Sequence, residues 1–128
     1  DVDVCLDTFP YTGGTTTLHA LWMGVPTLTM AGSTVPGRPG ASVLGHVGLD
    51  TFIAADPAEF VNQGLAWTIN PELLARLRTE LRQRLRQSAM GQPQLVAAGL
   101  ERALRIMWRR WCAQLPTESF VVDAQDLS

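Results

Sequence analysis

Leu6–Pro26 reads LDTFPYTGGTTTLHALWMGVP, and the fold follows from how this stretch is parsed. It opens on the apolar run Val4–Leu6 and leaves it at Asp7. Pro10, Tyr11, Thr12 and the pair Gly13-Gly14 form a turn. Three threonines follow, and then Leu18, Leu21 and Trp22 recur at helical spacing. Gly24 stops that helix, and Pro26 starts a second apolar run, Thr27–Met30. The pattern is strand, glycine turn, helix, glycine stop, strand. Two strands joined through a helix in this way lie parallel, with a right-handed crossover. The first amides of a helix have no intrahelical partner and carry partial positive charge. Glycines allow an anion to approach them, and threonine hydroxyls add donors, so Gly13, Gly14, Thr15 and Thr16 have the composition of a phosphate cradle. Thr15–Thr17 would serve equally as plain helix caps. On these residues alone the two readings stand level.

Working outward, the 128 residues suffice for one domain with a sizeable core. At 46% hydrophobic and 17% charged, the chain is of ordinary globular composition. No apolar run is long enough to span a bilayer. The chain enters a strand directly from Asp1, with neither a methionine nor a basic leader, and is therefore read as a piece of something longer. All ten basic residues are arginine. The absence of lysine excludes a Walker-type phosphate loop. Charge is unevenly spread: −5 over residues 1–70, +6 over 71–112 and −3 over 113–128. Two cysteines, Cys5 and Cys112, make no disulfide framework, and a reduced, cytoplasmic setting is the default. Two histidines and two cysteines without close spacing predict no metal site.

Val2–Thr8 is predicted as a strand buried on both faces and central in the sheet. Asp7 then falls at the carboxyl edge, where open α/β sheets hold ligands, although a turn or capping role suits it better. His19 lies one turn into the first helix, off the apolar stripe and within reach of a ligand at the helix start. The loop Ala31–Gly40, AGSTVPGRPG, leaves the second strand on the same rim. Its Arg38, the one basic residue among the first 70, suits a phosphate, Asp7 or bulk solvent. Ala41–Val47 reads as a short helix and Thr51–Ala54 as a third strand. Asp56-Pro57-Ala58-Glu59 starts a helix to about Ile69, and Asn70-Pro71 starts another. In that helix Leu73, Leu77, Leu81 and Leu85 form one stripe and the arginines occupy the other faces. The basic block therefore reads as a solvated helix side rather than a nucleic-acid surface, since no aromatic residues interleave with it. A last helix, Gln94–Cys112, carries Leu100, Leu104, Met107, Trp108 and Trp111 on one stripe. It is expected to pack on the sheet or on a further domain.

The run DTFPYTGGTTTLHALWMGVPTLTMAGS, together with the Arg38 loop, the Asp56 helix and the closing MWRRWC, resembles the C-terminal catalytic region of protein O-GlcNAc transferases, TPR-linked and Spindly-like. The resemblance implies an α/β fold: a Rossmann-like parallel sheet flanked by helices, part of the C-terminal domain of a GT-B glycosyltransferase. Residues 1–112 would form that partial nucleotide-sugar-binding domain, and 113–128 an acidic, loosely ordered tail. The implied activity is inverting transfer of GlcNAc from UDP-GlcNAc, or a related nucleotide-sugar, to Ser or Thr of proteins, without metal or other cofactor. Donor diphosphate and ribose would be held by Gly13, Gly14, Thr15, Thr16 and His19, with Asp7, Thr17 and Arg38 as further candidates. Relatives often carry an acid where His19 stands, and continue without proline where Pro39 follows Arg38. Catalytic residues, an N-terminal GT-B domain and TPR repeats would lie upstream, so the chain alone would not turn over. Nucleic acid and membrane are not expected partners. The rival is a non-catalytic nucleotide-binding or interaction module derived from the same fold.

Overall fold

A computed structural model describes residues 2–122. The chain divides into two compact units, Asp1–Gly91 and Gln92–Ser128. The first holds strands β1 (Cys5–Leu6), β2 (Thr27–Met30) and β3 (Ile53–Ala54), with helices α1 (Thr15–Trp22), α2 (Pro39–His46), α3 (Pro57–Thr68) and α4 (Pro71–Gln87). The strands form a parallel sheet in the order β1-β2-β3, with Cys5 opposite Thr27 and Thr29 opposite Ile53. This is the predicted α/β architecture.

The placement of β1 differs from expectation. Of Val2–Thr8 only Cys5 and Leu6 pair, and among the described residues β1 is an edge strand. Leu6 is 67% exposed, so the strand is not buried on both faces. A short apolar run does not by itself distinguish an edge from a centre. β2 is the central strand: Thr27, Leu28 and Thr29 are all buried. Around it Leu21, Leu28, Val43, Leu44, Val47, Leu49, Phe52, Leu81 and Leu85 form one core. Phe52 stacks on Trp67 with ring centroids 4.5 Å apart.

Helix ends follow local chemistry closely. Gly24 and Gly48 adopt φ of 75° and 68° and close α1 and α2. In each case the next residue donates back across the last turn, Val25 N to Ala20 O at 2.9 Å and Leu49 N to Leu44 O at 3.0 Å. This is the bond pattern of a Schellman ending. Asp56 Oδ1 accepts from Glu59 N at 2.8 Å, as the cap was expected to do. Glu59 reaches back past the cap and accepts from Ala55 N at 2.6 Å. Replacing Asp56 by Ala is expected to cost about 1 kcal/mol, read as a lower urea midpoint at unchanged slope.

Of the predicted α4 stripe, Leu81 and Leu85 are buried and Leu77 packs against the core, whereas Leu73 is exposed and its neighbour Leu74 is buried instead. Its arginines do more than face solvent. Arg78 Nε donates to Gly24 O at 3.0 Å and Arg82 Nε to Trp22 O at 2.7 Å. Arg78 also pairs with Asp3, and the Arg82 guanidinium lies 5.3 Å from the centre of the Trp22 ring. The carboxyl end of a helix exposes unpaired carbonyls and partial negative charge, and guanidinium groups satisfy both. Arg84 makes the expected i,i+4 pair with Glu80.

The second unit is α5 (Pro93–Cys112) and the chain that follows it. None of its helical residues is buried, and Trp108 and Trp111 are 66% and 70% exposed. The predicted apolar stripe of Leu100, Leu104, Met107, Trp108 and Trp111 is present, and all five side chains are exposed. Gln114, at φ 52°, ends α5, and Leu115 N donates to Arg110 O at 3.0 Å. Arg110 then holds the returning chain through Glu118 and through Pro116 O at 2.8 Å. The expectation of a loose tail falls partly on residues 123–128, which lie outside the described residues.

Candidate functional site

β1 and β2 run parallel, so the loops after both leave from one rim of the sheet. Asp7, the residue after β1, organises that rim. Its Oδ1 accepts from Gly13 N at 2.8 Å and from Thr8 N at 2.9 Å. Its Oδ2 accepts from Thr29 Oγ1 at 2.7 Å. All these bonds are made to a charged acceptor, the stronger class. Asp7 thereby ties the glycine turn to the central strand and does not pair with Arg38. Arg38 is exposed, and its Nη1 donates to Gly32 O at 3.1 Å within its own loop.

The second strut is Thr12, which is 1% exposed. Its amide donates to Pro36 O at 3.1 Å, and its Oγ1 accepts from Gly40 N at 3.2 Å. The glycine turn and the start of α2 are therefore fastened to each other. Their packing is close. A Cβ on Gly40 would lie 2.5 Å from Asp7 Oδ2 and 2.8 Å from Thr29 Oγ1. A Cβ on Gly13 would lie 2.5 Å from Thr16 Oγ1. The space beside Gly40 is taken by two groups held in place, whereas the atom nearest Gly13 is the hydroxyl of the exposed Thr16.

Behind these struts α1 begins at Gly14, with no side-chain cap and no acid in its first turn. Its first backbone bond runs from Leu18 N to Gly14 O at 3.0 Å. The amides of Thr15 and Thr16 have no partner among the described residues, and both side chains are exposed. Thr17 points the other way: it is 2% exposed, and its Oγ1 donates to Gly13 O at 2.9 Å. The Gly13 amide is committed to Asp7. Of the predicted cradle, then, the structure leaves Thr15 and Thr16 exposed and Gly14 half-buried, and turns Gly13 N and Thr17 Oγ1 inward. His19 is exposed, one turn along. Thr12, Thr29 and Gly40 were missed in the sequence reading. Hydroxyls at alternate positions of a buried strand, Thr27 and Thr29, were the available signal for the second of them.

The family model of glycosyl transferase family 41 matches residues 2–100, which includes every residue of this rim. The chain belongs to family 41. It is 42% identical over 111 residues to a protein of Oryza sativa subsp. japonica named as a probable UDP-N-acetylglucosamine–peptide N-acetylglucosaminyltransferase SPINDLY, covering 87% of this chain and 12% of that protein. The Arabidopsis thaliana protein of the same name is 40% identical over the same share of each chain. A Caenorhabditis elegans UDP-N-acetylglucosamine–peptide N-acetylglucosaminyltransferase is 28% identical, covering 91% of this chain and 10% of that protein. Among solved structures, a mutant of Thermobaculum terrenum O-GlcNAc transferase superposes with a TM-score of 0.82 at 42% identity, covering 89% of this chain and 22% of that one. This family 41 chain thus corresponds to the C-terminal region of O-GlcNAc-transferase-like proteins, with their GT-B type of parallel sheet flanked by helices. It spans about a tenth of the length of the curated relatives it matches. No helix among the described residues is long and apolar enough to cross a membrane.

Proposed function

We propose that this chain is the donor-binding C-terminal part of a protein O-linked N-acetylglucosaminyltransferase. It holds the diphosphate of a UDP-sugar while the sugar passes, with inversion, to a Ser or Thr hydroxyl of an acceptor protein. The observation that supports this reading is the uncapped start of α1 in a family 41 chain, with the Thr15 and Thr16 amides and side chains open. As the bond to the sugar breaks, negative charge grows on the departing nucleoside diphosphate. Donors already fixed in place stabilise that charge without reorganising, which is how such sites lower a barrier. On this reading no metal is required, because amides, hydroxyls and the positive helix end meet the charge. His19 reaches toward the ribose as a hydrogen-bond donor. The acceptor base, the recognition of uracil and any lysine to the phosphates come from the remainder of a longer protein, since this sequence has no lysine at all. A cytoplasmic setting belongs to the same reading and suits the two free thiols, Cys5 and Cys112.

The test is titration of UDP into the isotopically labelled chain. The amide resonances of Gly14, Thr15 and Thr16 are expected to move in a saturable way. A Thr15→Ala/Thr16→Ala double variant is expected to bind at least about tenfold more weakly, the loss of two hydroxyl bonds to a charged group. The chain by itself is expected to transfer no sugar. Absence of any shift at millimolar UDP would favour the rival, an interaction module that no longer binds nucleotide.

A further inference from the structure

We infer that Asp7 is a positioning residue for the donor diphosphate: without touching the ligand, it sets where the Gly13-Gly14 turn, and hence the open amides of Thr15 and Thr16, stand. This rests on the donor-binding reading above and adds a residue to it. A carboxylate six residues before a phosphate cradle is at first sight the wrong charge. Its geometry removes the conflict. Both oxygens are already engaged, Oδ1 by the Gly13 and Thr8 amides and Oδ2 by the Thr29 hydroxyl. A carboxylate with such donors is neutralised locally and points its lone pairs into the fold.

What the bonds fix is also specific. Thr29 is fully buried in the central strand, so Oδ2 is anchored to the middle of the sheet. Oδ1 then holds Gly13, one residue before the α1 cap. Gly40 closes the third side, and its missing side chain leaves only enough space for the carboxylate. The Thr12 hydroxyl accepts from the Gly40 amide and joins the same assembly. The Asp7 side chain is therefore the link from the central strand to the helix start, whose own N-cap has no side-chain bond. Electrostatic stabilisation of a leaving group depends on donors standing within tenths of an ångström of the right place, so the residue that sets them is as consequential as the donors.

The experiment compares UDP binding by the wild-type chain with Asp7→Ala, Asp7→Asn and Thr29→Val, with melting curves measured alongside. Asp7→Ala is expected to raise Kd about tenfold, and the amide resonances of Gly13–Thr16 are expected to move before ligand is added, while those of α3 stay in place. Asp7→Asn keeps an oxygen for the two amides and lets the Thr29 hydroxyl turn from donor to acceptor, so its Kd should stay within about threefold of wild type. Thr29→Val should fall between them. If the alanine variant does not fold, the other two carry the comparison. A melting temperature that drops in these variants with Kd unchanged would overturn the positioning role and leave the donor reading standing. Failure of the wild-type chain to bind UDP would remove the donor reading and this role together.

Discussion

Gly40→Ala is expected to lower stability by about 3–5 kcal/mol, combining the usual cost of overpacking with loss of the charged bond between Asp7 and Thr29. The added methyl would sit 2.5 Å from Asp7 Oδ2 and 2.8 Å from Thr29 Oγ1. Neither atom is the loose end of a flexible side chain. The carboxylate is held through both oxygens, and Thr29 is 0% exposed. Something must therefore move, and the least costly movement breaks the bond from Thr29. For a chain of this size such a loss corresponds to roughly 10–20 °C in melting temperature. UDP affinity should fall with it, because the glycine turn loses its anchor. Gly14→Ala is the control. Its nearest neighbour is Pro39 Cβ at 3.6 Å, ordinary contact, and its φ of −109° suits any residue. Little change in melting temperature is expected there. Equal melting of the two variants would show that Gly40 is not sterically fixed.

Gly24→Ala should cost about 2–4 kcal/mol, for two separable reasons. Its φ of 75° lies in the left-handed region, and its Cβ would come within 2.9 Å of the Arg78 carbonyl oxygen on α4. Gly48 shares the first handicap, at φ 68°, but has no atom within 4 Å of a built Cβ. Gly48→Ala should therefore cost only the backbone term, about 1 kcal/mol. The difference between the two variants measures how tightly α4 is pressed onto the end of α1. Chemical denaturation of both, at unchanged slope, gives that difference directly. Identical costs would mean that α4 yields freely.

Much of this fold is legible in the residues themselves, where the determining interactions are local. Thr27–Met30, Gly24, Gly48 and the Asp56 cap are set by neighbours within a few positions, and the structure has each where spacing and turn chemistry place it. The misreadings share a cause: the deciding partner is remote in sequence. The apolar run of β1 suggests a central strand because such a run carries no record of how many strands flank it. The spacing of the α4 arginines suggests a solvated face, yet Arg78 and Arg82 bond to carbonyls 54 and 60 residues away. At the site, composition alone identified the glycine–threonine turn. It could not say that the hydroxyl of Thr17 would turn inward to Gly13 O while Thr15 and Thr16 stay out. Nor could it show that Arg38 would settle on Gly32 O instead of crossing to Asp7.

Arg78 and Arg82 bond to the carboxyl end of α1, and the open amides stand at its other end. With 8 residues α1 is about 12 Å long, too short to flex appreciably. Its far tip is held by a different helix. On the proposed reading, changes on α4 would thereby adjust the open end of α1 while leaving Gly14, Thr15 and Thr16 as they are.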